Sequence, residues 1–303
     1  MKHCLKTLTI TAFGLLLIAS CKKDKGTRRV DPDQPKIQVT KAADDNSAWE
    51  LFIDAADADR AGIWVDLNNN GTKDNGETPT KFGMSFDDKN TFSLGSSKTI
   101  TIYGKVTKFG CPSNELTGID ISNNTILVEL DCAYNRLTTL YVAKNTRLES
   151  LDCSYNELPA LDVSKNTALK YLSCYWNQLT ALNLTQNTGL THLACFKNKL
   201  TALDLTKNTA LEQFLCVLNQ ITTLDLSQNK ALKVVDITRN SFNSANMKHF
   251  LNTLPTLPSS SKGILYLLYP PDNNSVPANA DITTAKSKNW KLYEFHSTGW
   301  EEM

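Results

Sequence analysis

The sequence carries almost no net charge, no paired-cysteine metal signature and no apolar run long enough to span a bilayer. Its 32 basic and 31 acidic residues balance to +1, which offers neither the basic face that nucleic acid requires nor a membrane-surface charge signal. No two of its eight cysteines stand in CxxC spacing, which removes the common zinc arrangement. The long apolar run at 9–18 is too short to cross a membrane comfortably.

What the sequence does have is a period. Cysteine falls at Cys111, Cys132, Cys153, Cys174, Cys195 and Cys216, and an asparagine follows three residues after each, from Asn114 to Asn219. A seventh unit keeps Asn240 and puts Ile237 in the cysteine slot. A fixed spacing of 21 residues over so long a run means a solenoid. A second asparagine file, Asn124, Asn145, Asn166, Asn187, Asn208 and Asn229, runs beside the first.

The unit at 148–158 reads Leu148-x-x-Leu151-x-Cys153-x-x-Asn156-x-Leu158, and 158–169 nearly repeats it with Leu161, Val163, Asn166 and Leu169. Each unit is therefore two shorter ones of ten and eleven residues. This resembles the leucine-rich repeat proteins of bacteria, in a short nested form. The resemblance covers about half the chain. It implies a β-rich leucine-rich repeat solenoid, here with a small antiparallel β domain before it and an α/β cap after it. Ten residues leave no room for a crossover helix, so flattened coils stacked about 4.8 Å apart are expected. Inward asparagines offer donor and acceptor to adjacent turns. The cysteines replace leucine at inward positions and read as buried thiols; disulfides or a metal are the alternative.

The N-terminal 20 residues read as a signal segment. Leu17-Ile18-Ala19-Ser20-Cys21 resembles the lipobox of bacterial lipoproteins, which implies lipidation of Cys21 and a membrane anchor. Lys22 after the cysteine, in place of an inner-membrane aspartate, points to the outer membrane, with surface exposure left open. Residues 21–35 are polar and basic with Pro32 and Pro35, a tether. Runs at 36–40, 48–53, 62–65, 91–94 and 98–103 are strand-like and place the β domain at 36–105.

Inside that domain, 66–77 reads DLNNNGTKDNGE. It resembles the calcium loop of EF-hands, which implies oxygen ligands from Asp66, Asn68, Asn70, Asp74 and Glu77 and the carbonyl of Thr72. Two features depart from that family: no flanking helix is evident, and Lys73 occupies an aliphatic position. The alternative is an Asn/Gly-rich hairpin loop that binds nothing.

In the solenoid, 106–243, the solvent positions of the second half-units are monotonous, whereas those of the first half-units vary. Early coils carry Glu129, Asp131, Glu149 and Asp152; middle and late ones carry Tyr134, Tyr155, Tyr171, Tyr175, Trp176, His192, Phe196, Leu215, Val217 and Leu218. Stacking gathers these into one patch, and such patches mark interaction sites. A protein partner on this aromatic face is expected, a glycan stacked on the rings is the second reading, and simple rung-on-rung stabilisation of the sheet is the third. Chemistry is a poor fit, so the chain reads as no enzyme: His192 and Cys195 point to opposite sides, and Asp131 with Asp152, although at glycosidase-like spacing, lies on a surface without a cleft. The period breaks at 244–303, where helical spacing at 244–254 and 280–288 alternates with strands at 263–269 and 290–295. Trp290 and Trp300 are expected in the core or at the edge of this cap.

Overall fold

The computed structural model describes residues 33–95, 97–269 and 273–303. Cys21, the signal segment and most of the tether lie outside the described residues. The chain begins with β1 (Lys36–Lys41), β2 (Trp49–Asp54), the single turn α1 (Asp57–Arg60), β3 (Trp64–Asp66), β4 (Asn90–Phe92) and β5 (Thr99–Tyr103). Then come β6 (Lys108–Gly110) and β7 (Leu116–Asp120). These N-terminal strands are antiparallel, as their alternation suggests, but they divide between two sheets. One has the order β3-β5-β1-β7. The strands β2 and β4 instead extend the long sheet, with β2 antiparallel to β6. Alternation reports which face a strand buries and not which strand it joins. Here β2 turns Trp49, Leu51 and Ile53 onto the first coil. Its backbone at Glu50 exchanges bonds with the Asn114 amide, at 3.0 Å to Oδ1 and 2.7 Å from Nδ2. β2 thus stands in for the coil that would precede the array and satisfies the end that a solenoid leaves open.

Each later period contributes one strand: β8 (Glu129–Asp131), β9 (Ser150–Asp152), β10 (Tyr171–Ser173), β11 (His192–Ala194), β12 (Gln213–Leu215) and β13 (Val234–Asp236). All are parallel and in register, so Leu130, Leu151, Leu172, Leu193 and Phe214 stack inward at full burial. The chain is the β-rich leucine-rich repeat solenoid that its spacing implies.

The second half-unit of the first coil makes β7, which pairs with β1; those of the later coils make no strand among the described residues. They are turns, with Asn145 N bonded to Val142 O at 2.9 Å and Leu148 N to Asn145 O at 3.1 Å. Beyond the first coil the sequence doubling is a doubling of buried positions, not of strands. The monotonous solvent residues prove to be turn chemistry. Asp162 Oδ1 accepts from Ser164 N at 2.9 Å, and Asp204 Oδ1 from Thr206 N at 2.9 Å. Such two-residue side-chain bonds fix a bend without a sheet partner.

The two asparagine files differ. Asn156 Nδ2 donates to Cys132 O of the preceding coil at 3.0 Å and to Cys153 O of its own at 3.2 Å, while its Oδ1 accepts from Leu137 N at 2.9 Å. In the other file Asn166 Nδ2 donates to Val142 O at 2.9 Å and Asn145 O at 2.8 Å, but its buried Oδ1 has no partner. Only the first file uses donor and acceptor together, as expected of both. The six cysteines are free and fully buried, and burial pushes each thiol pKa well up, with the neighbouring thiols and carboxylates adding where they are close. They are core apolar groups, as read from their position.

Beyond the array, α2 (Ser244–Thr253), β14 (Gly263–Leu268), α3 (Asn279–Ser287), β15 (Trp290–His296) and β16 (Gly299–Glu302) close the C-terminal end. β14 and β15 continue the parallel sheet, and β16 folds back antiparallel as its edge. The longer connections here hold helices, which short coils cannot. Asn243 caps α2 by accepting from Asn246 N at 2.9 Å, and α2 buries Met247, Phe250 and Leu251. Trp290 is in the core, with Nε1 bonded to Pro255 O at 2.9 Å. Gly263 admits it, since a Cβ there would sit 2.5 Å from the indole. One apolar core runs from Ile37 to Leu292.

Candidate binding face

The outer residues of each three-residue strand lie on the face opposite the core, where all but the buried Ser173 are partly or fully exposed, and register sorts them into two files. The first runs Glu129, Ser150, Tyr171, His192, Gln213 and Val234; the second runs Asp131, Asp152, Ser173, Ala194, Leu215 and Asp236. A further file comes from the turn after each cysteine. The second residue after the cysteine slot is left-handed in every coil: Ser113 at φ 55°, Tyr134 at 55°, Tyr155 at 50°, Trp176 at 52°, Lys197 at 52°, Leu218 at 56° and, after Ile237, Arg239 at 54°. Bulky residues rarely adopt this conformation, which costs about 1–2 kcal/mol each. The ladder asparagine next in sequence enforces it. Asn177 Nδ2, for example, gathers Cys153 O, Cys174 O and Tyr175 O at 2.9, 3.1 and 3.3 Å around the turn. The bend throws the side chain at the left-handed position outward.

The aromatic residues singled out from sequence are brought together here. Tyr134 stacks on Tyr155 at 4.2 Å between centroids, and Tyr155 on Trp176 at 4.7 Å. Lys197 Nζ covers the other side of Trp176 at 3.0 Å from its ring centre. In the neighbouring file Tyr175 stacks on Phe196 at 4.1 Å. The rung-on-rung stacking weighed from sequence is therefore present. The column remains on the surface, with Tyr134 49% and Trp176 39% exposed. Tyr171 and His192 lie on the strands, tilted and 6.2 Å apart, and His192 Nδ1 lies 2.9 Å from Thr191 Oγ1. Leu215 is on the second strand file, and Leu218 is 38% exposed in the left-handed file. Sequence reading stopped the face where the period breaks, but the register carries the second file on to Tyr266 and Tyr293. Trp300, on the edge strand, packs against Tyr266 at 4.6 Å and extends the aromatic surface.

The acidic end of the face holds Asp131 and Asp152, register partners on β8 and β9. Burial, with repulsion from Asp152 and Glu129 and against a bond from Ala133 N, raises the Asp131 pKa to about 6. Burial and the Asp152 charge also raise Tyr171. The two carboxylates project in parallel from adjacent strands. Glycosidic catalysis needs carboxyls that flank a bond from either side, which parallel neighbours do not. His192 is outside and Cys195 is in the core, so they form no dyad.

The 66–77 loop is closed on itself. Asp66 accepts from Asn70 N at 3.0 Å and Gly71 N at 2.7 Å; Glu77 accepts from Leu67 N at 2.8 Å and Asp74 N at 2.7 Å. Asn68 and Asn70 donate to Asp74 Oδ2 at 2.9 and 3.0 Å, and Asn70 Oδ1 accepts from Thr72 N at 2.7 Å. Asp66 and Glu77 are buried, and among the described residues neither they nor Asp74 forms an ion pair. Among the described residues no group of three or more His, Cys, Asp or Glu is placed to hold a metal ion.

No protein family and no curated protein matches the chain. Similar solved structures are bacterial leucine-rich repeat proteins. The functional domain of InlJ from Listeria monocytogenes, described as including a cysteine ladder, is 30% identical over 63% of this chain and 50% of that one, with a TM-score of 0.42. A leucine-rich repeat protein of Leptospira interrogans is 23% identical over 57% of this chain and 44% of that one, with a TM-score of 0.47. An internalin C2 from Listeria monocytogenes is 20% identical over 62% of this chain and 80% of that one, with a TM-score of 0.49. The chain thus spans half the length of the first and less than half of the second.

Proposed function

We propose that the chain is a recognition module that binds a protein partner through its aromatic strand face and performs no catalysis. One observation carries this reading. The surface rings, exposed at Tyr134 and Trp176 and half-buried at Tyr155, Tyr175 and Phe196, spend their faces on each other, Tyr134 on Tyr155, Tyr155 on Trp176 and Tyr175 on Phe196, with Lys197 over the remaining side of Trp176. A sugar ring stacks on a free aromatic face, and these faces are largely taken; what the surface presents is ring edges, hydroxyls and aliphatic ends. That mixture is what protein interfaces favour. The test is capture by the full chain of proteins and, in parallel, of arrayed glycans, with wild type and Trp176→Ala, both folded by circular dichroism at the assay temperature. Protein capture lost in the variant supports the reading; glycan capture in its place overturns it.

Two further proposals belong to the same picture. The lipobox-like run ending at Cys21 anchors the module to the cell envelope, in the outer membrane, and Cys21→Ser would release it to the soluble fraction. The 66–77 loop binds calcium in a structural role. Its all-oxygen donor set suits that ion, and its buried carboxylates, Asp66 and Glu77, form no ion pair among the described residues. Asp66, Asn68, Asn70, Asp74 and Glu77 with the Thr72 carbonyl would hold it.

A further inference from the structure

The outward side of the sheet β3-β5-β1-β7 carries a cavity of about 270 Å³. Register sets its floor: Thr101 on β5 lies beside Gln38 on β1, and Gln38 beside Asp120 on β7. Lys36 and Tyr103, register partners two residues along, line it as well. Asn69, left-handed at φ 57° in the loop after β3, and Asn123, in the turn after β7, complete the lining. The floor is joined side chain to side chain. Gln38 Nε2 donates to Thr101 Oγ1 at 3.3 Å, and Thr101 Oγ1 donates to Asn69 Oδ1 at 2.9 Å. These bonds fix both amides. They leave the Gln38 oxygen and the Asn69 N–H groups without a partner among the described residues, and the Asn123 amide and Tyr103 hydroxyl are equally unpartnered there. The one cation, Lys36, and the one anion, Asp120, balance. A ligand of net charge meets a like charge in this cavity, whereas a hydroxyl, donor and acceptor at once, finds a partner on every wall. The volume admits one sugar ring and falls short of the ~300–1,000 Å³ of sites that enclose larger ligands.

A second observation lies one coil on. In five of the six return turns an Asp or Asn accepts from the backbone N–H two residues later: Asp120, Asp162, Asn183, Asp204 and Asp225, at 2.8–3.1 Å. The sixth reads Tyr141-Val142-Ala143 and gives up the acceptor. Tyr141 takes the slot next to Asp120, because the Asn145 amide ties its coil to Ile121 O and Asn124 O at 3.1 and 2.8 Å. Its ring is 76% exposed and, unlike the stacked rings of the strand face, meets no other ring or cation among the described residues. A large ring held in water at the expense of a turn bond does nothing for folding, and its faces are open to a ligand.

We propose that the cavity and Tyr141 form a binding site for a neutral saccharide. One sugar ring is hydrogen-bonded among Gln38, Asn69, Asp120 and Asn123, and the next is laid on the open face of Tyr141. The site is separate from the strand face and uses no part of it.

The test screens the full chain against neutral mono-, di- and trisaccharides and free amino acids by saturation-transfer nuclear magnetic resonance, and titrates the binders by calorimetry. A di- or trisaccharide is expected to bind more tightly than its own monosaccharide. Gln38→Leu should weaken every binder at least about tenfold, as loss of a hydrogen bond that strands a partner does. Tyr141→Asn restores the turn bond that Asn183 makes, so this variant should melt at or above wild type. It should nevertheless bring the longer saccharides down to the affinity of the monosaccharide, which a merely structural role for Tyr141 does not predict. Trp176→Ala should leave all of these affinities unchanged. The inference is overturned if no saccharide binds, if binding survives either Gln38→Leu or Tyr141→Asn, or if only an amino acid binds, its ammonium and carboxylate suiting Asp120 and Lys36. A saccharide lost on Trp176→Ala instead belongs to the strand face and overturns the protein-binding reading with it.

Discussion

At the scale of single residues, the inward asparagines show how much a file position matters. Asn177 accepts from Leu158 N at 2.9 Å and donates to three carbonyls. Asn187 donates to Val163 O and Asn166 O, at 3.1 and 2.9 Å, while its own oxygen is unpartnered. Asn177→Ala strands a buried N–H and is expected to cost about 1–3 kcal/mol. Asn187→Ala strands no donor and discards an orphan oxygen, so urea denaturation should show the smaller loss. Trp176 gives an unusual sign. Glycine relieves its left-handed backbone and alanine does not, while either loses the stack on Tyr155. Trp176→Gly should therefore melt above Trp176→Ala, by a difference of about 1 kcal/mol. Asp131 gives a pH signature. Burial raises its folded-state pKa to about 6, above the unfolded value, so the stability it contributes is fully present below about pH 4 and is lost as pH rises through 6. Asp131→Asn should be more stable than wild type at pH 7, by about 2 kcal/mol allowing for partial exposure, and should lose that advantage by pH 4. Equal differences at both pH values would remove the buried-charge account.

At the scale of elements, the unit of construction is one strand, one left-handed bend and one strandless return. Parallel register and both asparagine files link each coil to its neighbours alone. Excision of 164–184 joins Val163 to Thr185, which occupies the same place one period on. The shortened chain is expected to fold with native-like circular dichroism and a lower melting temperature, as nearest-neighbour stacking implies. Excision of one residue fewer breaks both asparagine files and should leave no cooperative transition. This dependence on period explains what the sequence makes legible. Cys111 to Cys216 and the two asparagine files reveal coil count, inward positions and register, because stacking repeats the same physical demand. The strandless return is less legible, since Leu161-x-Val163 looks like Leu151-x-Cys153; Asp120 makes the same turn bond as Asp162, yet its half-unit is the strand β7 because β1 pairs with it. The partner of β2 is not legible either, because nothing local to Trp49, Leu51 and Ile53 names β6. The aromatic residues of the face could be gathered by register alone. Their stacking order and the left-handed column arise from the packing of successive turns and have no signature in a single residue.

At the scale of the whole molecule, the N-terminal strands and the solenoid share one apolar core, and this sets how a local ligand would be felt. The 66–77 loop follows β3, and Asn69 Oδ1 accepts from Thr101 Oγ1 of β5 at 2.9 Å. β5 pairs with β1, and β1 with β7 of the repeat region. Calcium bound to the loop would therefore stabilise a segment that cannot unfold without uncovering the first coil. Binding to the folded state alone adds about 2.7 kcal/mol at a ligand concentration 100-fold above Kd. If the loop binds calcium, millimolar calcium should raise a single melting transition of the full chain, seen equally by far-ultraviolet dichroism and by indole fluorescence. Asp66→Ala should abolish the rise while magnesium fails to reproduce it. A rise confined to one probe would mean that the N-terminal strands melt apart from the coils, contrary to the continuous core. No rise in either probe would show that the loop's own amides, which already fill Asp66 and Glu77, are its final partners.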